Sequence, residues 1–337
     1  MDRTRGSNVD GGNRRAMSGA TAPVIEVEDL QKRYGDLTAV DDVSFAIQAD
    51  EVFALVGPNG AGKTTIVEIL ECLRTPTAGT ATVLGHDVRS DTQAIKDAIG
   101  VVPQSFHTFD RLSVRENVAL TRRMYDDGRD VDDVLDELDL DDYADTRFES
   151  LSGGYQRRTG IAMALVSDPE VLFLDEPTTG LDPAARRSTW RQIESLAAAG
   201  TTVVLTTHYM EEVEELADRA ALLLDGTIEA VDTVQNLIAT YGGDVKLVVG
   251  AGAGEDAAIE SILESTATEV YRNETDDFVA LYEDRAVAQT AFGDVLDVNG
   301  ERSIDLTTAG MDDVFLRLAG APVEVVGDGT ATGGDDR

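Results

Sequence analysis

Two glycine-rich stretches carry residue types that can hold an anion. GPNGAGKTT at 57–65 sets Gly57, Gly62, Lys63 and Thr64 in the spacing G-x-x-x-x-G-K-[ST], with Pro58, Asn59, Gly60, Ala61 and Thr65 completing the loop. Glycines allow successive backbone amides through Gly60, Ala61, Gly62, Lys63 and Thr65 to turn inward, and a helix opening at Lys63 adds a potential that favours negative charge. In that setting Lys63 reaches β- and γ-phosphates and the Thr64 hydroxyl ligates Mg²⁺, so a nucleoside triphosphate site is expected. The second stretch, SLSGGYQRR at 150–158, places Ser152 beside Gly153 and Gly154 at the start of a helical run, which is again a backbone that cradles an anion.

Between and beyond these loops lie polar residues delivered by apolar runs. VLFLDEP supplies four apolar residues and then Asp175 and Glu176. Next to a phosphate site, Asp175 holds Mg²⁺ through its water shell and Glu176 polarises the attacking water as a general base. Gln104 closes IGVVPQ and His208 closes VVLTTH in the same manner, although each alone reads as an ordinary polar residue.

The elements that must position these side chains are legible in the periodicity. VIEVEDLQKRY, AVDDVSFAIQ and DEVFALVG alternate or run apolar over strand lengths, and KTTIVEILECL switches to helical spacing, with Ile66, Ile69, Leu70 and Leu73 on one side. Strand, loop and helix in that order predict an α/β sheet. EVLFLDEP and TTVVLTTH are short apolar runs ending in polar residues, the pattern of buried parallel strands whose C-terminal ends face a ligand crevice. Residues 106–165 read as mostly helical and acidic, with Ser113 and Glu116 forming a capping box and Val131, Val134, Leu135 and Leu138 making one packed face. From about residue 240 the order becomes strand, helix, hairpin, helix, strand, a ferredoxin-like pattern, followed by a short closing helix in MDDVFLRLAG. Residues 1–22 and 321–337 read as loose ends.

Composition narrows the classes. The chain has 337 residues, 42% apolar, with 64 acids against 28 bases and a formal net charge of −36. Such a shell repels nucleic-acid backbones, so no nucleic-acid partner is expected, and its self-repulsion predicts a requirement for screening salt. The acidity is similar to that of proteins from salt-loving archaea. No run of eighteen or more apolar residues occurs and the first twenty residues hold no apolar signal core, so neither a membrane span nor a secretory signal is expected. A single cysteine, Cys72, excludes a disulfide framework and reads as a small buried residue.

Taken in order, Tyr34, the phosphate loop, Gln104, LSGGYQ, VLFLDEP, GLDP at 180–183 and His208 resemble the ATP-binding cassette ATPases of ABC transporters over roughly residues 23–240. THYMEEVEELADR at 207–219 and a small C-terminal unit at about 245–320 are similar to the export-type drug-resistance subunits. The resemblance implies an α/β P-loop ATPase with a RecA-like core, an antiparallel β subdomain and a helical subdomain at about 106–165, plus a small α+β C-terminal domain. It implies that Tyr34 stacks on adenine, that Gln104 touches Mg²⁺ and the water, that Asp182 couples two sites, and that His208 bonds the γ-phosphate. It further implies that Ser152, Gly153 and Gly154 close the ATP site of a second copy, so that hydrolysis needs a dimer, expected to be a homodimer. A separate transmembrane permease then supplies the path, with export expected in the family's manner, and holds the subunit peripherally on the inner, cytoplasmic face of the membrane.

Three positions depart from the family pattern: Tyr155 stands for the usual glutamine, Asp50 for a usual glycine, and Met163 where many relatives carry arginine. A chromosome- or repair-type cassette would need a long coiled coil between the two loops, and no sustained heptads occur there. A ribosome-associated cassette would need two copies of each motif. A non-transport ATPase acting as a regulatory or assembly factor stays as the alternative.

Overall fold

The computed structural model describes residues 22–105, 108–243, 245–251, 256–273, 275–298 and 302–319. The expected loose lead, up to residue 21, and the expected tail at 321–337 lie outside the described residues. Six strands, Thr227–Thr233, Arg219–Leu224, Val52–Val56, Thr202–Thr207, Val171–Asp175 and Ile99–Val102, lie side by side in that order. Five of them are parallel, and Thr227–Thr233 pairs antiparallel at one edge. All five residues of Val52–Val56 are buried, as an apolar run covered on both faces must be.

Each parallel strand is short, and its C-terminal end breaks into a polar loop along one edge of the sheet. That edge carries the phosphate loop after Val56, Gln104 after Val102, Glu176 after Asp175 and His208 after Thr207. A second, antiparallel sheet is ordered Leu37–Ile47, Ile25–Tyr34, Ala78–Val83, His86–Asp87, and shares a core with the first through Phe45, whose ring stacks on Phe53 at 5.5 Å.

The acidic middle region folds into helices Val114–Arg122, Val131–Glu137 and Gly153–Leu165. The Ser113 hydroxyl accepts from the Glu116 amide and the Glu116 carboxylate accepts from the Ser113 amide, so the expected capping box is formed. Val134 and Leu135 are buried while Asp130 caps their helix and Asp132 and Asp133 sit in its first turn, where negative charge suits the exposed amides.

The structure corrects two local expectations. Helix Lys63–Leu70 stops before Cys72, which adopts φ 58° and is half-buried rather than buried. The chain therefore turns away, leaving Ile66, Ile69 and Leu70 in the core but Leu73 62% exposed. Asp50 adopts φ 63°, which accounts for the preference for glycine at that turn.

The C-terminal strands are ordered Glu269–Arg272, Phe278–Tyr282, Val245–Val249, Ile304–Thr307, all antiparallel. Helices Asp256–Thr266 and Arg285–Val298 cover one face through Ile259, Leu263, Ala288, Ala291 and Val295, giving the expected ferredoxin-like order. The closing helix Met311–Ala319 does not add to that core. Met311, Val314 and Phe315 instead bury themselves in the larger core of the six-stranded sheet, where each contributes roughly 1.5–3 kcal/mol.

Candidate functional site

The phosphate loop begins where strand Val52–Val56 leaves the sheet. A Cβ on Gly57 would meet the Leu223 carbonyl oxygen at 2.1 Å, so only glycine lets the chain pass beneath the neighbouring strand. Gly62, at φ 106°, caps helix Lys63–Leu70 with no side-chain bond, and a Cβ there would meet the Ala39 carbonyl oxygen at 2.4 Å. The first-turn amides have no intrahelical partner and open toward the loop. The Lys63 side chain is 5% exposed and its ammonium donates to the carbonyls of Gly57 at 2.7 Å and Pro58 at 3.1 Å. Burial lowers its pKa, against the opposing fields of Glu176 and Asp175, so those carboxylates lie close enough to act on it. Thr64, by contrast, is exposed at the helix start.

The carboxylates are set by register. Asp175 pairs with Thr206 across two parallel strands, and its carboxylate accepts from the Thr206 hydroxyl. One residue on, Glu176 takes φ 44°, a left-handed conformation that side chains seldom adopt. Its amide is held there by the Thr206 carbonyl and hydroxyl, both at 3.1 Å. The Glu176 carboxylate accepts from the Gln104 amide at 2.8 Å and the Thr179 hydroxyl at 3.0 Å, and His208 Nδ1 lies 3.3 Å from its other oxygen. Three strand ends thus meet on one carboxylate.

The helix that opens with Ser152 reaches the same place through a residue the sequence reading did not single out. Arg157, one turn after Gly153, is buried and donates to the carbonyls of Pro103 at 2.8 Å and Asp175 at 2.7 Å. Desolvation lowers its pKa to about 10, which leaves the guanidinium charged at neutral pH. It ties the Ser152 helix to the loops of Gln104 and Glu176 at once. The signal that could have found it is an arginine on the apolar face of a helix, which must have a buried acceptor. Thr206, equally unforeseen, needed the strand register to be seen.

Ser152 is the N-cap of helix Gly153–Leu165 and makes no side-chain cap bond; it and Gly153 are exposed, while a Cβ on Gly154 would stand 3.0 Å from Ala185 Cβ. A cleft of about 300 Å³ runs past Gly153, Arg157, Gln104 and Glu176, and none of residues 57–65 lines it. Asp182 caps helix Pro183–Ala198, accepting from the amides of Ala184 at 2.9 Å and Ala185 at 3.0 Å. The Tyr34 ring is 38% exposed, with Lys32 Nζ at 5.1 Å and Arg74 Cζ at 5.5 Å from its centre. Tyr155 packs on Tyr143 at 4.0 Å and under Arg158 at 4.9 Å.

The family model described as ABC transporter matches residues 40–179. Daunorubicin resistance ATP-binding protein DrrA3 of Streptomyces coeruleorubidus is 38% identical over 305 residues, covering 88% of this chain and 96% of that protein. The chain belongs to the ABC transporter ATP-binding family. Nod factor export ATP-binding protein I of Burkholderia orbicola is 36% identical across 89% of this chain and 98% of its own length. Among solved structures, cbiO1 of Clostridium perfringens, part of the cbiONQ transporter complex, matches with a TM-score of 0.61 and 25% identity over 65% of this chain and 92% of that one. The dimeric post-hydrolysis cassette MJ0796 bound to ADP and Pi matches with 0.55 and 27% over 62% and 98%. As an ABC ATPase this chain binds and hydrolyses ATP. Among the described residues no helix is long and apolar enough to cross a membrane.

Proposed function

We propose that the chain is the ATP-hydrolysing subunit of an exporter, with residues 23–240 as the ATPase unit and 245–320 as an accessory unit. The observation that carries the residue roles is the Glu176 carboxylate, shared by Gln104 and Thr179 and faced by His208, with the buried Lys63 ammonium in its field. The phosphate-loop amides and Lys63 bind the β- and γ-phosphates, Tyr34 stacks on adenine, and Glu176 takes a proton from the attacking water while Gln104 and His208 orient water and γ-phosphate.

The donor set suits Mg²⁺. Among the described residues no cluster of three His, Cys, Asp or Glu could hold a metal by itself, whereas Mg²⁺ in such sites is held by one or two carboxylates together with waters and substrate phosphates. Asp175 would be that carboxylate, with the exposed Thr64 hydroxyl and Gln104 as neutral donors beside it. When bound, the ion neutralises charge on the phosphate oxygens.

Ser152, Gly153 and Gly154 present an uncapped helix start outward, and Asp182 lies exposed beside it, so we assign them to the ATP site of a second copy in a homodimer that closes on ATP and opens after hydrolysis. A separate transmembrane permease docks near Gln104 and the helical region. There a groove of about 480 Å³ is lined by Val101, Pro103, Tyr125, Met163, Lys96 and Glu71. Glu71 is 6% exposed and burial raises its pKa to about 8, so the fitting occupant is an amphipathic permease segment that presents a basic side chain. The export direction rests on the relatives' names. Steady-state ATPase assay of wild type against Glu176→Gln tests the roles: loss of a general base predicts a fall of about 10²-fold or more, and equal rates would end this reading.

A further inference from the structure

Glu212 is a carboxylate with no place in the roles above. It sits in helix Met210–Leu216, directly after His208, and is 0% exposed. One oxygen, Oε1, accepts from the Thr178 hydroxyl at 2.8 Å and from the Trp190 indole N–H at 3.0 Å. The Thr207 hydroxyl also interacts favourably with it. Oε2 is buried without a hydrogen-bond partner among the described residues. Burying an acid this deeply is costly, and an apolar side chain would fill the space at less cost.

The three donors are not scattered. Thr178 lies between Glu176 and Asp182, in the loop whose Thr179 amide donates to the Glu176 carbonyl and whose Leu181 amide donates to the Thr178 carbonyl. Thr207 is the residue before His208, and its hydroxyl also accepts from the Tyr209 amide at 3.0 Å. Trp190 belongs to the helix that Asp182 caps. Glu212 therefore joins, on Oε1, the loop that carries Glu176 to the helix that Asp182 caps, and the Thr207 hydroxyl links it to the strand end that carries His208.

We propose that Glu212 is a positioning residue for ATP hydrolysis, a buried acceptor that locks the Glu176–Asp182 loop to the His208 strand end so that both move as one unit. It touches no part of the nucleotide site and acts through Thr178 and Thr207. Its loss loosens two groups needed after ATP is bound, so it lowers kcat and leaves the KM for ATP nearly unchanged. The proposal rests on the roles given to Glu176 and His208. Burial raises the carboxyl pKa, so the neutral amide of glutamine, with its oxygen in the same place, is a fitting replacement.

The test uses the full chain, and steady-state ATPase kinetics of Glu212→Leu, Glu212→Gln, Thr178→Val and the Thr178→Val/Glu212→Leu double variant. Losing this acceptor predicts a kcat about 10-fold lower for Glu212→Leu with KM within about twofold, most of the rate recovered in Glu212→Gln, and a smaller loss for Thr178→Val that adds nothing in the double variant. Trp190 is the sole tryptophan of the chain, so its emission reports the junction directly. ATP should change that emission in wild type and not in Glu212→Leu. If Glu212→Leu fails to fold, Thr178→Val and Glu212→Gln carry the test, since each preserves side-chain shape. Losses that add in the double variant, a rate within about twofold of wild type for both single deletions, a KM that rises in step, or no recovery in Glu212→Gln overturn the proposal. An intact rate in Glu176→Gln would instead overturn the site reading, so the two failures are distinguishable.

Discussion

The ATPase site and the C-terminal sheet treat buried charge in opposite ways. In the C-terminal unit Asp313 is 1% exposed and fully engaged: it accepts from Lys246 Nζ at 2.8 and 3.0 Å, from the Tyr271 hydroxyl at 3.1 Å and from the Gly310 amide at 2.8 Å. At the strand ends of the parallel sheet, Glu176 faces a cleft and is held by one amide and one hydroxyl, both borne on loops. A carboxylate whose lone pairs are all taken by fixed donors braces the fold, whereas one left to loop-borne partners can exchange them during a reaction. The two regions meet at one helix. Glu214, on the helix that follows His208, accepts from the Met311 amide at 2.5 Å, so the closing helix anchors the C-terminal unit to the helix after His208.

This contrast can be broken from either side. The largest effect belongs to the phosphate loop: Lys63→Ala should abolish measurable ATP hydrolysis, a loss of about 3 kcal/mol or more of transition-state stabilisation, with circular dichroism unchanged. Next, Asp313→Ala leaves the half-buried Lys246 ammonium without its acceptor and should cost about 1–3 kcal/mol of stability by denaturant titration, while the kcat of the folded protein stays within about twofold. A catalytic collapse without destabilisation would erase the distinction drawn here.

Glu71 gives a pH-dependent case. Its folded pKa, raised from 4.5 to about 8, means that the native state holds a proton which the unfolded state has released over that window, so it lowers stability as pH rises between those values. Glu71→Gln should therefore gain melting temperature relative to wild type as pH is taken from about 5 to about 9; parallel curves would contradict the burial. The smallest effect is expected at Asp50, where φ 63° favours glycine and Asp50→Gly should stabilise by about 1 kcal/mol or less in thermal unfolding. Across all variants, the formal net charge of −36 predicts higher melting temperatures in molar salt than in dilute buffer.

Much of this was legible because its signals are local. The spacing of Gly57, Gly62 and Lys63 encodes a turn that tolerates no Cβ, and the apolar run before Asp175 encodes a buried strand ending in acid. The alternation after residue 245 was enough for the ferredoxin-like order. What escaped depends on contacts between distant segments. Thr206 matters because register sets it opposite Asp175, Arg157 because its helix crosses two loop carbonyls, and Glu212 because three elements converge on it. Leu73 departs from its helical spacing because Cys72 turns the chain before it, and the closing helix follows the C-terminal unit in sequence while its apolar face returns to the larger core.

The central claim is that one chain holds two halves of different ATP sites. Specific ATPase activity of the purified full chain, measured across a dilution series with its oligomeric state followed by sedimentation, tests this most directly. Activity per chain should fall in step with the dimer fraction; a dilute monomer that hydrolyses ATP at undiminished specific activity would contradict it.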